Sequence, residues 1–286
     1  LKFVHNLIIS GLLLTAPALF ATNIGTGTPL CPEATLQTYL NSYGTSNFGG
    51  SCRIGELVFN KFDFASFRLL GDKDSVQGLA ANQTGLITAS DIMVKPDASR
   101  SAFDFFPAIN TNLFNRSVAP GFLERYAFLY RADPPPIIAG NELYLDPPTG
   151  PVYGTKFICA QQDFAAPPNG QSVFSYIPTL ARSSYSGATF PCIGPSRDSY
   201  IIKTDGDPTT GTPVRDTVTF PVPVEVINVL ILLDYEPGNA RIGTNVTGFD
   251  GVVTPAILTV PEPANALLMG TALVGLGALL RRRNKR

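Results

Sequence analysis

Between residues 214 and 226 the chain alternates. Even positions read Val214, Asp216, Val218, Phe220, Val222, Val224 and Val226, and odd ones read Arg215, Thr217, Thr219, Pro221, Pro223 and Glu225. Period two is the spacing of a strand with one buried face and one wet face. Pro221 and Pro223 cannot donate ladder hydrogen bonds, so this stretch is predicted to be an edge strand, a bulge or an exchange between sheets. Residues 226–233 then read VINVLILL, a strand covered on both faces. Such a change at Val226 is expected where a strand passes from the rim of a sheet into its centre.

Residues 57–67 carry a phase slip. Leu57 and Phe59 share one parity while Phe62 and Phe64 share the other, which predicts a β-bulge or bend at Asn60-Lys61. Further strands are predicted at 103–106, 126–130, 142–145, 156–159, 173–177, 200–203 and 241–249. In the third strand region, Tyr126, Phe128 and Tyr130 are read as core, with Arg125, Ala127, Leu129 and Arg131 on the opposite face. Clusters of proline and glycine at 133–136, 146–151 and 167–170 break the chain into short elements. One helix is signalled: Leu36, Tyr39, Leu40 and Tyr43 fall on one face, Pro32 suits a first helical turn, and Gly44 supplies a stop. About ten strands at this spacing predict an all-β fold, an antiparallel β-sandwich with one short N-terminal helix, in one domain over residues 22–259.

The two ends follow a different pattern. Residues 1–21 have a positive Lys2, an apolar run at 7–14 and small residues at Ala16, Ala18 and Ala21, the parts of a secretory signal peptide. Cleavage is expected after Ala21, although Ala18 fits the Ala-x-Ala rule better. At the other end, Val260, Pro261, Glu262 and Pro263 precede 17 uncharged, mostly apolar residues, 264–280. As a helix this run would be about 25 Å long, the short end of what spans a bilayer. Arg281, Arg282, Arg283, Lys285 and Arg286 follow. Their charge would hold that end in the cytoplasm and leave the body outside.

The order of Pro-Glu-Pro, short apolar helix and terminal basic cluster resembles the PEP-CTERM sorting signal of Gram-negative bacteria, here covering residues 260–286. The resemblance implies export by the Sec machinery, transient attachment to the cytoplasmic membrane and cutting near the motif by exosortase. It also implies a final place at the cell surface or in the extracellular matrix, since the family is associated with exopolysaccharide and biofilm formation. The same tail is known from an ice-binding protein, which gives no reason to assign ice binding to this body. Cys31, residues 35–40 and residues 52–62 are similar to the opening of uncharacterised acidobacterial members, which adds placement but no function.

Removing the two sorting segments changes the charge. Residues 22–263 hold all 22 acidic residues but 15 of the 21 basic ones, a net of −7. Such a surface repels phosphate backbones, so no nucleic-acid partner is expected. The four cysteines allow three pairings. In an exported chain they favour disulfides, with Cys31–Cys52 and Cys159–Cys192 the preferred set.

The single histidine, His5, lies in the signal segment. The mature chain therefore has no material for a Ser-His-Asp triad or a histidine-ligated metal. No cofactor is expected, and the body is read as non-enzymatic. Carboxylates remain: Asp72 with Asp74, and Asp205 with Asp207. Asp205 and Asp207 are weak candidates for Ca²⁺, whose ligands are oxygens. The alternative readings are thus a Ca²⁺- or exopolysaccharide-binding module or, further off, a carboxylate-based glycan hydrolase. The plain reading of both pairs is that Asp and Gly make turns.

Overall fold

The computed structural model describes residues 27–45, 50–71, 77–79, 85–109, 113–133, 137–145, 152–164, 177, 192–193, 199–205, 215–241 and 249–255. Among them the elements run β1 (Ala34–Thr35), α1 (Leu36–Tyr43), β2 (Ser51–Ile54), β3 (Leu57–Leu70), β4 (Gln77–Leu79), β5 (Ile92–Asp97), β6 (Ala102–Pro107), β7 (Asn115–Val118) and β8 (Phe122–Asp133). They continue with β9 (Ile138–Leu145), β10 (Val152–Ala160), β11 (Ser199–Asp205), β12 (Arg215–Val224), β13 (Ile227–Tyr235), β14 (Gly238–Arg241) and β15 (Phe249–Pro255).

These strands form two main antiparallel sheets. One has the order β1-β5-β6-β15-β9-β12, and the other runs β11-β10-β13-β8-β3-β2, with β4 added to β3. A separate ribbon pairs β14 with β7. The sheets share one core, giving a sandwich-like arrangement. Phe103 and Phe105 of β6 and Leu143 and Leu145 of β9 belong to the same buried cluster as Tyr126, Phe128 and Tyr130 of β8 and Ile231 of β13. Edge-to-face aromatic contacts tie the layers together, with Phe103 5.5 Å from Phe62 and 4.8 Å from Phe59.

The phase slip in β3 is a bulge. Its pairing with β8 shifts register between Asn60 and Asp63, and Lys61 takes a positive φ of 53°. The bulge turns Phe62 inward on the parity opposite to Phe59, so both rings reach the shared core. Helix α1 covers the end of that core, with Tyr39 fully buried and 5.0 Å from Phe62. Its start differs from the proline reading. Pro32 lies outside the helix, and Thr35 caps it, accepting a hydrogen bond from the Thr38 amide. The hydroxyl outcompetes proline here because it satisfies an amide that proline would leave open. Gly44 closes the helix with φ −74°; a Cβ there would strike the Leu40 carbonyl oxygen, so the need is for close approach rather than a left-handed turn.

At 215–235 the alternation and the proline argument locate an edge strand, and β12 is the outermost strand of its sheet. Its pairing with β9 is interrupted between Thr219 and Val224, across both prolines. Val222, placed on the inward parity by alternation, is 72% exposed because the strand has lost its register there. The switch at Val226 is the exchange between sheets, one of the three alternatives the prolines allowed. The chain does not move inward within one sheet; it crosses to the other, where β13 is flanked by β10 and β8. Every residue of β13 is buried.

The outer face of that second sheet is buried as well. Leu123, Ala127 and Leu129 of β8, Phe157 and Cys159 of β10, and Leu230 and Leu232 of β13 form a second apolar cluster under Phe164, Ile177 and Cys192. Phe164, Ile177 and Cys192, described residues between β10 and β11, therefore lie over this face as a cover. Cys159–Cys192 pins it, and Cys31–Cys52 joins the approach to α1 with β2. The predicted strand at 173–177 falls, apart from Ile177, outside the described residues. Converting Cys159 and Cys192 together to serine is expected to lower unfolding free energy by about 3–4 kcal/mol, from the entropy restored to the unfolded chain. Urea unfolding of the oxidised protein measures it. A loss below about 1 kcal/mol would mean that packing alone holds the cover.

Candidate functional site

Asp205 ends β11, its backbone opposite Tyr153 of β10. Asp207 lies outside the described residues, as do Asp72 and Asp74, so the structure does not bring either acidic pair together. The same holds for Ala21, for Val260, Pro261, Glu262 and Pro263, and for the basic cluster from Arg281 to Arg286. Among the described residues, no three of His, Cys, Asp and Glu gather as metal ligands, and no helix is long and apolar enough to cross a membrane.

What the sequence reading missed is a set of charges inside the protein. Arg125 of β8 is fully buried beneath the cover. Its Nε and Nη2 donate to the two carboxylate oxygens of Asp234 at 2.7 and 2.8 Å, and Nη1 donates to the Ile177 carbonyl at 2.6 Å. Arg125 and Asp234 are direct cross-strand partners of β8 and β13, so the sheet itself sets this two-pronged geometry. Glu124, one residue away and facing the opposite side, accepts from Arg68 at 2.7 Å, from Arg116 Nε at 2.8 Å and from the Tyr126 hydroxyl at 2.8 Å.

Every buried carboxylate among the described residues faces an arginine: Glu124 and Asp234 as above, Asp104 with Arg100, and Glu142 with Arg215. Each of these carboxylates is engaged by a cationic donor, a pairing that offsets the cost of burying it. Asp97, which also meets Arg100, is pushed down to about 2 by hydrogen bonds from Ser99 and Arg100. Burial raises Asp63, opposed by hydrogen bonds from the Phe64 amide and the Thr45 hydroxyl.

A third polar group sits between the two sheets. Lys156 of β10 is fully buried, and its Nζ donates to the Glu142 carbonyl oxygen at 2.7 Å while lying 5.9 Å from the centre of the Tyr130 ring. Asn141, the residue before Glu142, is 1% exposed, and neither its Oδ1 nor its Nδ2 has a hydrogen-bond partner. The Tyr130 hydroxyl is likewise buried without a partner, and burial pushes its ionisation well above the usual range. A lysine in a sequence normally signals solvent, so no local pattern marks Lys156. The one available signal was its place at the start of an otherwise apolar strand.

Comparison with known proteins finds no match among family models, curated proteins or solved structures. The likeness of residues 260–286 to a sorting signal therefore rests on those residues themselves.

Proposed function

We propose that this chain is an exported, non-enzymatic surface or extracellular-matrix protein, handed to exosortase by its C-terminal segment. The observation that carries the reading is the three-part tail: Pro261-Glu262-Pro263, then 17 residues without charge, then five basic residues among the last six. Two features of the body support it. Its two disulfides fit an oxidising compartment. The buried carboxylates among the described residues each face an arginine, an arrangement that holds a fold together. On this reading the Sec machinery takes residues 1–21, the apolar run holds the protein in the cytoplasmic membrane, and exosortase releases or transfers the body.

Mass spectrometry of the extracellular protein from its native host, with and without exosortase, tests the proposal. The expected C-terminus lies near Pro261 to Pro263 and depends on exosortase. An intact Arg286 on a membrane-bound protein in both strains would make the tail a plain anchor and reject sorting. Calorimetry of the same protein with Ca²⁺ and with host polysaccharide tests the binding alternative, which no heat in either titration would sink.

A further inference from the structure

The apolar interior between the sheets holds the buried amine of Lys156 and the carboxamide of Asn141, whose two polar atoms have no partner. Leu143 and Leu145 of β9 point inward and are among the side chains nearest to Gly154 of β10. Asn141 shares their parity, and Lys156 shares the inward parity of Val152 and Ile158. Both polar side chains therefore enter the same apolar layer from opposite sheets. The hydrogen bond from Lys156 Nζ to the Glu142 carbonyl fixes the amine against β9 at the residue adjoining Asn141. An amide buried with neither of its polar atoms satisfied costs on the order of 1–3 kcal/mol per group, and such groups in native proteins have a reason.

We propose that Lys156 and Asn141 condense to an intramolecular isopeptide bond that bolts the two sheets together. The neutral amine, the form that an apolar interior favours for any lysine, attacks Cγ of Asn141. A bond forms between Nζ and Cγ, the bond from Cγ to Nδ2 breaks, and one proton passes from Nζ to the departing nitrogen. The products are a secondary amide and one molecule of ammonia, with no oxidant, cofactor or outside reactant. Tyr130 keeps the surroundings of the amine aromatic, its ring centre 5.9 Å from Nζ. Condensation also removes the Nδ2 donor that nothing in the protein satisfies. Confinement replaces a bimolecular encounter with a unimolecular step, and the dry surroundings disfavour return by hydrolysis.

Tryptic mapping of the full-length protein, denatured and reduced after folding with its disulfides, decides the matter. Trypsin cuts after Arg131, Lys156 and Arg182, so the linear chain yields separate peptides 132–156 and 157–182. The isopeptide predicts no cut at Lys156. It predicts instead one peptide spanning 132–182, about 17 Da lighter than its sequence, the mass of the ammonia lost. Asn141→Ala should restore both the cut and the full mass; where that variant does not fold, the wild-type peptide alone gives the answer. A full-mass peptide 132–156 from wild-type protein would overturn the proposal and leave a non-covalent pair. An equal mass loss within 132–156 with Lys156 still cut would be ring closure of Asn141 onto its own backbone, and would overturn it too.

Discussion

Asp234→Ala is expected to cost about 3–5 kcal/mol of folding stability, the penalty for removing one partner of a buried ion pair. Since whole domains are stable by roughly 5–15 kcal/mol, the variant should be close to unfolding at ordinary temperature. The cause is the guanidinium that stays behind. Arg125 sits under the cover with no exposed surface, and the Ile177 carbonyl it also contacts is a neutral acceptor. Replacing both partners with apolar residues, Arg125→Met with Asp234→Leu, should recover most of the loss, because the expense lies in an uncompensated charge. Urea unfolding of the single and double variants measures both. A single variant within about 1 kcal/mol of the parent would mean that water reaches Arg125 and that the cover stands open.

Raising the pH should unfold the protein abruptly above about pH 10. Tyr39, Tyr126, Tyr130 and Tyr235 are all buried, and burial raises the ionisation of each; Tyr126 is raised further by the Glu124 carboxylate it hydrogen-bonds. A raised folded-state value means that the native form keeps protons the unfolded chain gives up. The stabilisation is complete below the unfolded value near 10 and is lost as pH climbs toward the folded values. Each such tyrosine withdraws at most about 1.4 kcal/mol per pH unit in that window, so four withdraw about 5 kcal/mol per unit together. Tyrosinate absorbance should rise in two stages: gradually for the half-buried rings of Tyr43, Tyr144 and Tyr200, then steeply as circular dichroism collapses. Tyr130→Phe removes a hydroxyl that has no partner and should move the second stage to higher pH. A smooth single titration with structure retained beyond pH 12 would contradict the burial of these rings.

The sequence carried the local geometry of the fold more fully than its polar interior. The bulge at Asn60-Lys61 shows as a change of parity because a period-two pattern has no other way to absorb an extra residue. The edge position of β12 shows because proline cannot donate to two neighbours. In contrast, β5 was overlooked, its pattern interrupted by Lys95 and Pro96, although Ile92 and Val94 are fully buried. The ribbon of β7 with β14 joins segments more than a hundred residues apart and has little apolar content, so nothing local announces it. Arg125 and Asp234 were hidden for a related reason. Each reads as a solvent-facing charge, and burial becomes affordable only when the fold sets them side by side across 109 residues of chain. The cover was legible only in part: 173–177 reads as a strand, but nothing in the sequence says that Phe164, Ile177 and Cys192 lie over the second sheet.

The position of β15 sets the order of assembly. It is the last described strand, yet it lies in the middle of its sheet, between β6 and β9. A chain that emerges from its N-terminal end can form β5 with β6 and β9 with β12, but these two halves face each other across an empty lane. Until residues 249–255 arrive, both bordering strands present bare amides and carbonyls, the template on which neighbouring molecules stick together. The body is thus a clasp that only its own final segment can shut, and anything that delays that segment prolongs the vulnerable state.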